Sequence, residues 1–185
     1  MNRMMSTDIK HHLTVEILMG YSAGSLPEAF NLMVATHISL CDACRAQLGA
    51  CDAVGGALME RSKTPSAEMD EGSLAATMSM IAVGPADSIS APSKTTGVLP
   101  TPLQNYVGGD LAAIKWRPIG MGVKQAILPT SKQASARLLF IPAGSAMPDH
   151  GHHGMELTMV LQGAFQDEDD YFARGDVEVA GSDLE

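Results

Sequence analysis

The sequence predicts an α+β chain of two unlike parts, a small helical domain followed by an all-β domain. Residues 8–60 contain one proline, Pro27, and their apolar side chains recur at helical spacing. Residues 84–102 are rich in Pro, Ser, Thr, Ala and Gly, a composition typical of an extended linker. After this stretch, short apolar runs alternate with Gly and Pro turns, which predicts the strands of a sandwich or barrel. The predicted boundaries are 1–82, 83–102 and 103–185.

The first two helices are predicted from apolar spacing and from capping residues. The first has one apolar face and a stop at Gly24. That face is made of Leu13, Ile17, Leu18 and Tyr21. The second begins with Ser25 as its cap and Pro27 in its first turn, and residues 28–39 are apolar enough to be buried.

Two further helices follow in the same part of the chain. The third is predicted from Cys41 to about Met59, with a break near Gly55 and Gly56. The fourth covers residues 71–81 and places three apolar side chains at positions i, i+4 and i+7. These three are Leu74, Met78 and Ile81. They are candidates for contact with a partner by helix-in-groove packing, although closing the helical bundle is an equally good interpretation.

Four strands are predicted in the second part. Two of them, at 122–129 and 136–142, flank the polar turn at 130–133. A third covers 157–161 and ends at Gly163, and a fourth begins after Gly175. The acidic run 167–170 is interpreted as a solvated turn and not as a calcium site.

A His-x3-Cys-x2-Cys segment indicates a metal site in the helical part. His37, Cys41 and Cys44 are spaced so that three ligands converge where one helix ends and the next begins. Two thiolates and an imidazole suit Zn²⁺, and the thiolates offset its charge. A fourth ligand must come from elsewhere, and spacing alone does not choose between His11 and His12. The alternatives are a redox pair, for which the β-α-β context is missing, and buried side chains without metal. Cys51 is interpreted as a core residue.

A second constellation lies in the β part, where Gly144 and Gly163 frame two histidines and a glutamate. His150 and His152 share one face of a strand because they are two residues apart, and Glu156 has the same parity. Two imidazoles and a carboxylate suit Zn²⁺, Fe²⁺ or Mn²⁺, and we expect a divalent metal here, zinc by preference. The next residue, His153, breaks the parity and is expected to be exposed.

Together these motifs resemble the zinc-binding anti-sigma factors of the ChrR type, in which a helical domain, a linker and a cupin follow one another. The resemblance covers nearly the whole chain. It implies that His12, His37, Cys41 and Cys44 bind a structural zinc, and the G-x5-H-x-H-x3-E-x6-G pattern from Gly144 matches the first cupin motif. A usual cupin has a fourth ligand, a His near its C-terminus. No His follows His153, so we expect an incomplete barrel that lacks its last strands and this ligand.

The function implied by the resemblance is that of a non-enzymatic, cytoplasmic anti-sigma factor. It would inhibit an extracytoplasmic-function sigma factor and release it under oxidative stress, including singlet oxygen, sensed through the cupin. The alternative is a metal-dependent cupin enzyme, a dioxygenase or isomerase, with a regulatory zinc domain. Direct DNA binding is disfavoured because 12 basic and 21 acidic residues give a net charge of −9. No apolar stretch approaches the length of a membrane span, and the N-terminus lacks the features of a signal peptide.

Overall fold

The computed structural model describes residues 9–61, 70–84, 97–145, 154–167 and 170–181. The helices all precede the strands along the chain, which confirms the predicted α+β class. The helices are α1 (Val15–Ser22), α2 (Glu28–Ile38), α3 (Asp42–Arg61), α4 (Ser73–Val83) and α5 (Thr101–Val107). The strands are β1 (Arg117–Gly120), β2 (Val123–Leu128), β3 (Ala136–Phe140), β4 (Glu156–Met159), β5 (Ala164–Gln166), β6 (Tyr171–Ala173) and β7 (Val177–Ala180).

The described strands form three antiparallel sheets rather than a closed barrel. β1, β2 and β3 are neighbours in one sheet, while β4 pairs with β7 and β5 with β6. In the β4–β7 pair, Glu156 is opposite Ala180 and Met159 is opposite Val177. The sequence pattern did not predict β1, β5 and β6, which have four, three and three residues.

Two predicted helix boundaries were wrong. α3 runs without a break through Gly55 and Gly56, whose φ angles are not positive and whose surroundings are open. A helix tolerates an internal glycine at a cost of about 1 kcal/mol, so a glycine pair need not end it. The residue that precedes α2 is Pro27, whereas Ser25 donates its hydroxyl to the carbonyl of Gly20.

The core of the helical part includes side chains from the β part. Leu18 and Val34 are fully buried in it, together with Val177 of β7. Side chains of β4 and β7 pack against the same cluster; they are Leu157, Met159 and Val179. The helical part and the β4–β7 pair therefore share one apolar core, which places the turn before β7 beside α1 and α2.

A second cluster lies where the linker was predicted to end. Leu99 and Leu103 are buried with residues of β2 and β3, and Leu32 of α2 packs against them. The backbone amides of Val98 and Leu99 donate to the carboxylate of Asp110. Residues 97–102 are thus packed against the β part, while the predicted domain boundaries themselves stay predictions.

Helix α4 differs from the other helices of the first part, because none of its side chains is buried. Leu74, Met78 and Ile81 are 69%, 57% and 66% exposed. Within the described residues these three side chains do not close the bundle. Among all the described residues, no helix has the length and apolar character needed to cross a membrane.

Candidate metal centre

Four side chains predicted as ligands come together at the junction of α1, α2 and α3. His37 is in the last turn of α2, Cys41 lies between α2 and α3, and Cys44 is in the first turn of α3. His12 comes from the segment just before α1. One donor atom from each lies within 4.8 Å of all the others, and three of the four residues are buried. The cluster is therefore able to hold a metal ion.

The backbone at the end of α2 produces this convergence. The amide of Cys41 donates to the carbonyl of His37 at 2.8 Å, which closes a last turn before α3 begins. The amide of Cys44 then points at the sulfur of Cys41 at 3.4 Å. The H-x3-C-x2-C spacing thus places all three donors around a single helix junction.

The distances from His12 to the two cysteine sulfurs match a tetrahedral zinc site. Nδ1 of His12 lies 3.3 Å from Sγ of Cys41 and 3.6 Å from Sγ of Cys44. Zinc bonds of about 2.3 Å to sulfur and about 2.0 Å to nitrogen, at tetrahedral angles, require an N···S separation of about 3.5 Å. Both N···S separations are therefore compatible with one zinc ion, and the other donor atoms lie within 4.8 Å of one another.

The ring of His37 is oriented for metal binding. Its Nδ1 donates to the carbonyl of Gly175 at 2.9 Å, so Nε2 carries the lone pair. Nε2 is buried and has no hydrogen-bond partner among the described residues. Burial lowers the pKa of His37, which favours the neutral imidazole that ligates metals.

The buried thiols also favour a cation. Burial raises the pKa of Cys44 to about 11, and the neighbouring Cys41 adds to this effect. Two such thiolates side by side would be costly without a positive charge between them. Zn²⁺ supplies that charge and favours sulfur and imidazole ligands, so the donor set fits zinc.

The structure separates the two adjacent histidines that spacing could not distinguish. His12 faces the cysteines, whereas the ring of His11 lies 4.3 Å from that of Phe172. Nε2 of His11 is 2.8 Å from a carboxylate oxygen of Asp170, and this hydrogen bond raises the pKa of His11. Asp170, at the end of the predicted solvated turn, is exposed and is a partner of His11. Cys51 is half-buried against the apolar core, as a core residue would be.

The predicted second site is only partly within the described residues. His150, His152 and His153 lie outside them. Glu156 begins β4 opposite Ala180 and is half-buried. The assignment of these side chains to a metal therefore stays a prediction.

Two residues beside the cluster were not connected with it from the sequence. Gly175 and Asp176 looked like the start of a strand and of a second cupin motif, yet they contact Lys10, His11 and His37. These contacts join residues more than 130 positions apart, and no spacing rule connects positions so distant. The buried carboxylate of Asp176 is visible only once the chain is folded.

Comparison with known proteins identifies the family. Residues 104–181 match the family model described as the ChrR cupin-like domain. The anti-sigma-E factor ChrR of Cereibacter sphaeroides is 53% identical over 180 residues, which are 96% of this chain and 82% of that protein. The chain belongs to the ChrR family of anti-sigma factors.

A solved structure supports the same family assignment. The crystal structure of Rhodobacter sphaeroides SigE in complex with the anti-sigma ChrR contains a chain that matches this one with a TM-score of 0.80. The two are 52% identical, and the match covers 95% of this chain and 89% of the other. ChrR relatives are regulators and not enzymes, which confirms the non-enzymatic interpretation over the cupin-enzyme alternative.

Proposed function

We propose that this chain is an anti-sigma factor that binds and inhibits an extracytoplasmic-function sigma factor in the cytoplasm. One observation carries the proposal. Over nearly its whole length, the chain is 52% identical to a chain from the SigE–ChrR complex and has the same fold. The net charge of −9 also suits a partner whose own surfaces bind DNA.

Helix α4 is the proposed docking element. Residues 73–83 contain no charged side chain, and none of them is buried. Isolated helices shorter than about 12–15 residues are only marginally stable in water, so an apolar helix of this length gains most of its stability from packing. We propose that Leu74, Met78 and Ile81 pack into an apolar groove of the sigma factor.

The metal cluster has a structural role in this proposal. His12, His37, Cys41 and Cys44 hold one zinc ion, which ties the segment before α1 to α2 and α3. A closed four-ligand site leaves no open position for substrate, so the ion stabilises the fold and performs no chemistry. The fit of the N···S distances and the unpartnered Nε2 of His37 support this assignment.

The cupin-like domain is the proposed sensor. We propose that His150, His152 and Glu156 hold a divalent metal, zinc by preference, and that oxidative stress, including singlet oxygen, alters this domain and releases the sigma factor. The motif spacing from Gly144 to Gly163 supports the metal assignment. The stimulus rests on resemblance to the family.

The test of the function is transcription in vitro with a purified sigma factor of this class from the same organism. The full chain should inhibit transcription at equimolar ratio, and exposure to singlet oxygen should relieve the inhibition. The same preparation is assayed for metal, with about one zinc expected in the helical site. If the zinc-loaded chain inhibited none of the sigma factors of this class from that organism, the proposal would be contradicted.

The proposed domain boundaries have their own test. Residues 1–82 alone should inhibit the sigma factor, whereas residues 103–185 alone should not. Because Val177 belongs to the helical core, the first fragment should also unfold at a lower temperature than the full chain. If only the second fragment inhibited the sigma factor, the assignment of this activity to the helical domain would be wrong.

A further inference from the structure

Asp176 is a buried carboxylate that joins the two parts of the chain. It immediately precedes β7 and is 2% exposed. Its Oδ1 accepts the backbone amides of Lys10 at 2.6 Å and His11 at 2.9 Å. Its Oδ2 accepts the amide of Ala173 at 2.8 Å and lies 3.6 Å from Nδ1 of His11. A buried carboxylate with several amide donors is fixed firmly in place.

Gly175, the preceding residue, contacts the metal cluster directly. Its carbonyl accepts the Nδ1 proton of His37 at 2.9 Å. The φ angle of Gly175 is +95°, and a Cβ at this position would stand 2.6 Å from Cδ1 of Ile9. The turn therefore presents its carbonyl only because the residue is glycine, and it packs tightly against the start of the helical part.

The same turn also sets the direction of His12. The amide of Val177 donates to the carbonyl of His11 at 3.2 Å, so the segment before α1 lies along the start of β7. His11 faces Asp170 and Phe172, whereas His12 faces the cysteines. Because Asp176 holds the amides of residues 10 and 11, it fixes which of the two histidines reaches the cluster.

We propose that the turn 173–176 of the cupin-like domain is the outer support of the helical metal centre. Asp176 positions His12 through the backbone, and Gly175 positions His37 through its carbonyl. The metal is then held more tightly when the two domains are docked than when they are apart. This inference rests on the proposed zinc centre, and it adds that half of the ligands are oriented by the other domain.

A coupling of this kind acts in both directions. If docking strengthens metal binding, metal binding strengthens docking by the same factor. A change in the cupin-like domain that moves the turn before β7 therefore reaches α1 and α2 without passing along the linker. Partners that orient metal-bound histidines typically contribute 10–100-fold to metal affinity.

The test compares two carboxylates of the full, zinc-loaded chain. Asp176→Asn removes the negative charge. It also replaces one accepting oxygen with a side-chain NH₂ group, which cannot accept a hydrogen bond from the backbone N–H that faces it. Asp110→Asn is the matched control, since Asp110 also accepts two backbone amides, those of Val98 and Leu99, and neither is a proposed ligand. Competition with a chromophoric chelator should show zinc affinity about tenfold weaker in Asp176→Asn and unchanged in Asp110→Asn.

Cobalt substitution distinguishes positioning from general stability. The visible absorption bands of tetrahedral Co²⁺ should change in Asp176→Asn and not in Asp110→Asn. If both variants bind zinc as wild type does, the outer-support proposal is wrong while the zinc centre stands. If wild type binds no zinc and Cys41→Ser behaves identically to it, the zinc centre itself is wrong.

A measurement on the wild-type chain covers the case in which Asp176→Asn does not fold. Hydrogen exchange is recorded with zinc and after its removal. Removal should speed exchange of the Val177 amide, which is bonded to His11, and leave the amides that pair β2 with β3 unchanged. Unchanged exchange at Val177 would overturn the proposed coupling.

Discussion

Helices α1 and α4 are both short and largely apolar, but they have opposite surroundings. In α1, Ile17 and Leu18 are 3% and 0% exposed, and the metal cluster lies beside its first turn. In α4, no side chain is buried. The difference shows that apolar composition alone does not decide whether a helix belongs to the interior. α1 has packing partners within the described chain, whereas α4 has the properties of a helix that packs on another protein.

The largest effect should come from removing a ligand of the metal cluster beside α1. Cys44→Ala removes a proposed zinc ligand, so the chain should lose about one equivalent of zinc and on the order of 5 kcal/mol of stability. This is less than the 10–16 kcal/mol typical of small zinc fingers, because the apolar core remains. Cys51→Ala is the control and should keep the metal. Metal analysis and thermal unfolding measure both, and a full zinc equivalent in Cys44→Ala would contradict the assignment.

The next effect concerns α4 and should appear only in the presence of partner. The double variant Leu74→Asp, Met78→Asp should weaken sigma-factor binding at least 30-fold, which is the effect of losing one interface anchor of about 2 kcal/mol, and about 800-fold if both anchors contribute fully. Thermal unfolding of the free chain should hardly change because both side chains are exposed. Met121 is 95% exposed and lies outside α4, so Met121→Asp should leave the affinity for the sigma factor, measured by titration calorimetry, unchanged. Equal affinity of the double variant and wild type would remove α4 from the interface.

A smaller effect tests the core that α1 shares with the β part. Val177 is 3% exposed and packs in the apolar core of the helical part. Val177→Ala should therefore lower the stability by about 1–3 kcal/mol and also weaken zinc binding. Val123 is similarly buried, at 5%, but lies in the β1–β3 sheet. Val123→Ala should lower stability by a similar amount without affecting zinc retention. Chelator competition that fails to separate the two variants would argue against a shared core.

The sequence predicted the α+β class and the ligands His37, Cys41 and Cys44 because these depend on local periodicity and spacing. The choice of His12 over His11 came from family resemblance, since both precede α1 and spacing favours neither. The continuous α3 was missed because an internal glycine costs a helix only about 1 kcal/mol, so a glycine pair is a weak stop signal. The roles of Gly175 and Asp176 could not be predicted, because their contacts join distant parts of the chain.

The smallest effect concerns the acid sensitivity conferred by Asp110, which is not a member of the cluster. The amides of Leu99 and Val98 hold the pKa of Asp110 below its usual range. Its stabilising contribution is therefore present above the unfolded pKa of about 3.9 and is lost as pH falls through the lower folded pKa. Asp110→Asn should unfold at a lower temperature than wild type near neutral pH, and the difference should vanish in strong acid. A constant difference across that range would show that the charge of Asp110 has no role.

Hydrogen exchange with and without the sigma factor tests the contrast between α1 and α4 most directly. In the free, zinc-loaded chain, the amides of residues 73–83 should exchange quickly, while those of α1 and α2 should be protected. Addition of the sigma factor should protect residues 73–83 strongly and change α1 and α2 little. Slow exchange in α4 of the free chain, or protection confined to the cupin-like domain in the complex, would contradict the proposed docking helix.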